Sequence, residues 1–187
     1  MRIIAGDARG RKLFAPSGND TRPTADRVRE SLFNIIARRI PEAYVLDLFG
    51  GSGALSIEAL SRGARFAVIN DISKKAYELI ARNVKLVGYV DRVKLVQKDY
   101  QSAVLTLPAE PFDLVFLDPP YPMAEAYTKA PEMLKARKLL SDDALLILER
   151  DARNAFELPE GFRVCDERSY GDTVITFLSL DVGGARP

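Results

Sequence analysis

The sequence predicts a doubly wound α/β fold, a mostly parallel sheet with helices on both faces and an antiparallel hairpin at one edge. Three observations predict it. From residue 44 onward, short apolar runs alternate with stretches of helical periodicity. Two of the runs, FDLVFL at 112–117 and ALLIL at 144–148, are almost continuously apolar, as strands covered on both faces are. The last two strand-like stretches, 162–168 and 173–180, flank Tyr170-Gly171-Asp172 and read as a hairpin. Right-handed crossovers put the helices on both faces. A chain of 187 residues, 47% hydrophobic and 28% charged, suits one domain with a sizeable core.

Residues 2–14 (RIIAGDARGRKLF) hold two short β-prone pieces around Gly6 and Gly10, which predicts a small basic hairpin. Residues 15–22 are loop-like, and free to move without a partner. Thr24 is placed to cap a helix that begins after Pro23, with Val28, Leu32, Ile35, Ile36 and Ile40 as its apolar stripe. Arg27, Arg29 and Glu30 lie off that stripe, and Pro41 ends the helix. Strands are then expected at 44–49, 66–69, 92–97, 112–117 and 144–148. Helices are expected at 54–62, 73–87, 100–107 and 124–138, the last kinked or divided at Pro131. The division expected is a basic N-terminal arm at 1–21, one catalytic domain at 22–182 and a disordered tail at 183–187.

Composition excludes several classes. No apolar run is long enough to span a membrane, and the first residues lack the apolar core of a secretory signal. One cysteine, Cys165, rules out an internal disulfide framework and a cysteine-rich zinc site. The absence of histidine removes the commonest metal ligand and general base. A cytoplasmic, metal-free protein is expected, and no heptad pattern argues against a monomer. The net charge of +1 hides an asymmetry: residues 1–40 carry nine Arg/Lys against four acids, whereas the remainder carries 18 against 22. A basic end on a mildly acidic body suits a polyanionic partner.

Chemistry concentrates at the strand ends. Asp47-Leu48-Phe49-Gly50-Gly51-Ser52-Gly53 follows the first strand of the alternating series, where nucleotides bind in such sheets. It is neither G-x-G-x-x-G, since Ser56 takes the third glycine's place, nor a phosphate loop, since no lysine follows. Asp47 suits a ligand ammonium and would repel a pyrophosphate. Asp71, about 20 residues past the glycines, can accept both hydroxyls of a ribose. Asp99, after the third strand, can accept from an adenine amine. S-adenosylmethionine carries all three groups. Phe49, Gly50, Gly51, Gly53, Ile72 and Tyr100 complete the expected donor pocket.

Asp118-Pro119-Pro120-Tyr121 closes the strand at 112–117. An exocyclic amine on a base is a weak nucleophile, because its lone pair is delocalised into the ring. Acceptors at Asp118 and the Pro119 carbonyl can localise that lone pair, and Tyr121 can stack on the ring. Such transfer depends on alignment more than on a strong base. A carboxylate at 118 matches the adjacent N1–H and N2–H donors of guanine.

Four stretches, RIIAG with RGRKL (2–6 and 9–13), RPTADRVRESLFN (22–34), DLFGGSGALSIEALSRGA (47–64) and DPPY (118–121), closely resemble the RsmD family of bacterial 16S ribosomal RNA guanine-N2 methyltransferases. The likeness runs from residue 2 to about residue 180. It implies a Rossmann-like class I methyltransferase fold with a mostly parallel seven-stranded sheet and an antiparallel edge hairpin. It implies S-adenosylmethionine, leaving as S-adenosylhomocysteine, at Asp47, Gly51, Gly53, Asp71 and Asp99, and a flipped guanine at Asp118, Pro119 and Tyr121. It implies that Arg2, Arg9, Arg11, Lys12, Arg22, Thr24, Arg27 and Arg29 hold ribosomal RNA, in an assembled or assembling 30S particle. Related sequences often carry a second acid two residues after Asp71, where this chain has Ser73. Two other readings share parts of the pattern: an amino-methyltransferase acting on DNA or on protein glutamine, and an RNA-binding assembly factor without catalysis. Neither accounts for both the 22–34 stretch and the intact DPPY.

Overall fold

The computed structural model describes residues 1–16, 23–120, 123–154 and 156–181, and the side chains of Pro23, Thr24 and Ala25 are not described. The expectations for Arg22, Tyr121 and the tail therefore lie outside the described residues. The elements are α1 (Pro23–Ile35), β1 (Tyr44–Asp47), α2 (Ala54–Ser61), β2 (Phe66–Asn70), α3 (Lys74–Val87), β3 (Val93–Val96), α4 (Tyr100–Thr106), β4 (Phe112–Leu117), α5 (Ala126–Ala136), β5 (Leu140–Asp151), β6 (Phe162–Tyr170) and β7 (Thr173–Leu180). They form one seven-stranded sheet of order β3-β2-β1-β4-β5-β7-β6. The first five strands are parallel, and β7 runs antiparallel to both β5 and β6. The expected fold class is therefore the observed one.

Alternation along the strands splits the core into two layers. Val45, Leu114, Phe116, Ile147 and Phe177 face one layer, which α1, α2 and α3 cover through Phe33, Ile57 and Ile80. Leu46, Val115, Leu117 and Leu148 face the other, covered by α4 and α5 through Val104, Tyr127 and Leu134. Truncating such a fully buried side chain to alanine costs about 2–5 kcal/mol.

The structure corrects four local expectations. Ile35 is 42% exposed, and Phe33 is fully buried in its place, its ring 6.0 Å from that of Phe116. The buried stripe of α1 thus leans toward residues 29 and 33, and Arg29 is buried with it. The helix ends at Ile35, before Pro41, and a short 3-10 turn (Ala37–Arg39) follows. Pro131 neither ends nor divides α5, because Ala130, Pro131 and Leu134 are all buried there and packing outweighs the lost backbone bond. β5 extends well beyond 144–148 at both ends, since Glu149, Arg150 and Asp151 pair with Ile175, Val174 and Thr173 of β7. Pairing partners, not apolar content, hold that extension.

Residues 1–14 pack onto α2 and α3. Arg2 and Lys12 form an antiparallel bridge, and Ile3, Ala8 and Leu13 are buried. Glu58 of α2, 1% exposed, accepts from the backbone N–H groups of Ile4 (2.8 Å) and Ala5 (3.0 Å) and from Arg62 Nε (2.8 Å). Ser61 Oγ accepts from the Ala8 N–H and donates to the Ala5 carbonyl. Gly6, at φ +87°, lies so close to α2 that a Cβ would fall 1.7 Å from the Ser61 carbonyl oxygen, and only glycine fits. Among the described residues no helix is long and apolar enough to cross a membrane.

Candidate active site

The strand order reverses between β1 and β4, and in open α/β sheets ligands bind in the crevice beyond the carboxyl ends at such a switch point. β1 ends in Asp47 and β4 in Leu117, so Asp47 and Asp118 stand beside that crevice.

Asp47 is 2% exposed and accepts a 3.1 Å hydrogen bond from Ser56 Oγ of α2. Burial pushes its pKa up to about 7, against the opposing hydrogen bonds from Ser56 and the Phe49 backbone and with some help from Asp71. A carboxyl so poised gains most from a cation placed against it. The glycine loop then turns away. Gly51 adopts φ +56°, which a side chain rarely does, and its N–H donates to Asp71 Oδ2 at 2.9 Å. Asp71 Oδ1 accepts from the Ser73 N–H at 2.8 Å, and Gly53 (φ +78°) leads into α2. Ser73 caps α3 by accepting from the Ala76 N–H.

Asn70, buried at the end of β2, has no role in the sequence reading. Its Nδ2 donates to the Leu48 and Lys98 carbonyls (3.0 Å each), and its Oδ1 accepts from the Lys98 N–H. One amide thus ties the ends of β1, β2 and β3 together. The only advance signal is a polar residue closing an apolar strand directly before Asp71. Ile72 is 65% exposed beside it. Asp99 caps α4 through the Ser102 N–H (2.8 Å), and these Ser102 bonds lower its pKa. The rings of Phe49 and Tyr100 pack at 5.7 Å. The donor-side residues Asp47, Phe49, Gly50, Gly51, Gly53, Asp71, Ile72, Asp99 and Tyr100 are thereby gathered along three neighbouring strand ends.

Asp118 reaches solvent, yet the protein around it desolvates the carboxyl. That desolvation, then Glu149 and Asp47, push its pKa well above the ordinary carboxylate range. Pro119 is buried behind it. Glu149 has no role in the sequence reading either. It follows Leu148, the register partner of Leu117, and its own pKa is raised by burial. Tyr127 of α5 donates from its hydroxyl to the Glu149 carbonyl oxygen at 2.6 Å, which fixes this strand end.

The basic residues divide. Arg2, Arg9, Arg11, Lys12 and Arg27 are exposed. Arg29 is buried, paired with Asp26 (3.1 Å) and donating to the Arg2 carbonyl, so it fastens the first residues to α1. Desolvation lowers its pKa from the usual guanidinium value. Arg27 also borders an open groove of about 520 Å³ along α1 with Glu30, Ser31 and Asn34. That groove has neither glycine loop nor converging strand ends.

The ribosomal RNA small subunit methyltransferase D of Escherichia coli K12 is 36% identical over 185 residues, spanning 98% of this chain and 92% of its own. A family model described as conserved hypothetical protein 95 matches residues 1–179. The chain belongs to the RsmD family. The Haemophilus influenzae relative, also a ribosomal RNA small subunit methyltransferase D, is 33% identical over 91% of this chain and 89% of its own. Among solved structures, Escherichia coli yhhF, provisionally named a methyltransferase, superposes with a TM-score of 0.84 at 30% identity, covering 97% of this chain and 98% of its own. RsmD-family membership and this fold agree with the expected methyltransferase class and S-adenosylmethionine cofactor.

Proposed function

We propose that this RsmD-family chain methylates the exocyclic amine N2 of a guanine in 16S ribosomal RNA, using S-adenosylmethionine, in an assembled or assembling 30S particle. The observation that carries the reading is the pair of acids, Asp47 and Asp118, at the ends of adjacent strands across the switch point. One suits an ammonium and the other an amine on a base. The residues present fit the donor. Asp47 is a buried carboxyl near neutrality, Gly51 has open space where a Cβ would be, and exposed Ile72 offers an apolar face for adenine. When bound, the cofactor supplies an electrophilic methyl group on a sulfonium.

Asp47 binds the ammonium, Asp71 the ribose hydroxyls and Asp99 the adenine amine, while Phe49, Gly50, Gly53 and Tyr100 shape the pocket. Asp118 and the Pro119 carbonyl accept from the guanine edge, hold its plane with Tyr121, and turn the N2 lone pair toward the methyl carbon. A donor held there would supply its methyl group to N2 and leave as S-adenosylhomocysteine, and Asp118 or water would take the proton that N2 loses. The raised pKa of Asp118 makes it a better proton acceptor than an ordinary carboxylate. Arg2, Arg9, Arg11, Lys12, Arg22, Thr24 and Arg27 contact the RNA, and Arg29 acts by holding the arm. The arm (1–21), catalytic domain (22–182) and tail (183–187) work as a cytoplasmic, metal-free monomer.

The test is incubation with labelled donor and 30S particles, naked ribosomal RNA, DNA or protein, followed by nucleoside and amino-acid analysis. N2-methylguanosine from the small subunit is expected. Methyladenine in DNA or methylglutamine in protein, without it, overturns the reading.

A further inference from the structure

Phe14 is 44% exposed, yet its backbone is among the most firmly held in the N-terminal region. Asn83 of α3, itself fully buried, accepts from the Phe14 N–H (2.8 Å) and donates to the Phe14 carbonyl (3.0 Å) and to the Ser52 carbonyl in the glycine loop (2.9 Å). An exposed aromatic ring on a fixed backbone has little freedom left to lose on binding. The guanidinium of Arg82 lies over that ring, 4.3 Å from its centroid. Arg11 donates to the Leu86 carbonyl at 2.8 Å, which joins the basic arm to the same helix.

Lys75, Arg82 and Lys85 recur at the spacing of one helix face, and all three are exposed. Glu78 nearby is turned to Lys74 at 3.9 Å. Residues 1–16 and α3 together carry eight Arg/Lys against two acids, +6, which leaves the rest of the chain at −5. Half of that excess comes from α3, outside residues 1–40, and Arg11 joins the basic arm to it. An aromatic ring with a cation over it, set in a basic field, suits unpaired bases and the phosphates beside them.

We propose that Phe14 and Arg82 form a stacking platform for an unpaired base of the substrate RNA, with Arg11, Lys75 and Lys85 on the adjoining phosphates. This rests on the reading of the substrate as ribosomal RNA. The chain has no tryptophan, so Phe14→Trp makes the platform its own reporter. Naked 16S RNA should quench that tryptophan in parallel with binding measured by anisotropy of the labelled RNA. Arg82→Glu, a change at an exposed side chain, should raise KM for RNA by about 5-fold or more and leave kcat and donor affinity within about twofold. Unquenched emission while the RNA binds overturns the proposal, as does an unchanged KM. Quenching by 30S particles but not by naked RNA that anisotropy shows to be bound also overturns it, in favour of a protein contact. If the unmodified protein methylates RNA while both variants behave like it, the platform alone falls. If the unmodified protein neither binds nor methylates RNA, the substrate reading falls and takes the platform with it.

Discussion

Asp118 follows the last residue of β4 and Glu149 lies within the neighbouring parallel strand β5, each one residue beyond the Leu117–Leu148 register pair, and after desolvation it is the charge of Glu149 that raises the Asp118 pKa. The acid proposed to meet the base is therefore tuned by a residue of the next strand. Activity should fall as pH drops and Asp118 takes up a proton. Glu149→Gln removes a neighbouring negative charge, so the acid limb of the kcat/KM profile should move to lower pH. An acid limb that stays in place would show that Glu149 does not set the ionisation that matters.

Asp118→Ala should abolish turnover, by about a thousandfold or more, while donor binding stays within a few-fold. Isothermal titration with S-adenosylhomocysteine separates the two effects. Surviving turnover would remove Asp118 from the chemistry.

Asp47 gives opposite signs for stability and binding. Its folded pKa of about 7 lies above the usual 3.8, so its contribution to stability is full below about pH 4 and is lost as pH rises to 7. Asp47→Asn should therefore be more stable than the parent protein above pH 7, by roughly one to a few kcal/mol, with the advantage shrinking toward pH 4. The same variant should bind S-adenosylmethionine at least about tenfold more weakly at pH 8, since the partner for the ammonium is gone. Melting curves across pH, run beside donor titrations, check both signs.

Glu58→Ala leaves the Ile4 and Ala5 N–H groups and Arg62 without their shared acceptor. A loss of about 2–4 kcal/mol is expected. Hydrogen exchange at residues 3–14 should accelerate more than exchange in the central strands. Uniform acceleration would mean that Glu58 supports the whole fold and not the arm in particular.

Neutralising Arg9, Arg11 and Lys12 together should weaken RNA binding and reduce the slope of log K against log salt by up to about 3, one for each phosphate left without its cation. An unchanged slope takes the arm out of the RNA interface.

The donor side is legible in the sequence because its acids close apolar strands and its glycines stand where the chain must turn beside a ligand. Asp47, Asp71 and Asp99 need only strand order to bring them to one edge. Glu149 is not legible in this way. Periodicity sees the apolar part of β5, and the last residues are strand only because β7 pairs with them. Glu58, Ser61 and Asn83 look like ordinary polar residues of amphipathic helices, yet all are buried. Asn83 carries one signal, since it adjoins Val84 and follows Ile80 by three residues on the buried stripe of α3. Arg29 misleads for the converse reason. A cation near a helix start reads as surface until the backbone that it serves, at Arg2, is in place.

The bonds that hold residues 4–14 to α2 and α3 join positions 53 to 75 apart in the chain. The arm precedes those helices in the chain and can dock only after they have formed on the sheet. Its closure belongs to the late, long-range part of folding. Until then the basic arm lacks the partners on α2 and α3 that later hold it. The face proposed to meet RNA is completed only as the domain itself is completed.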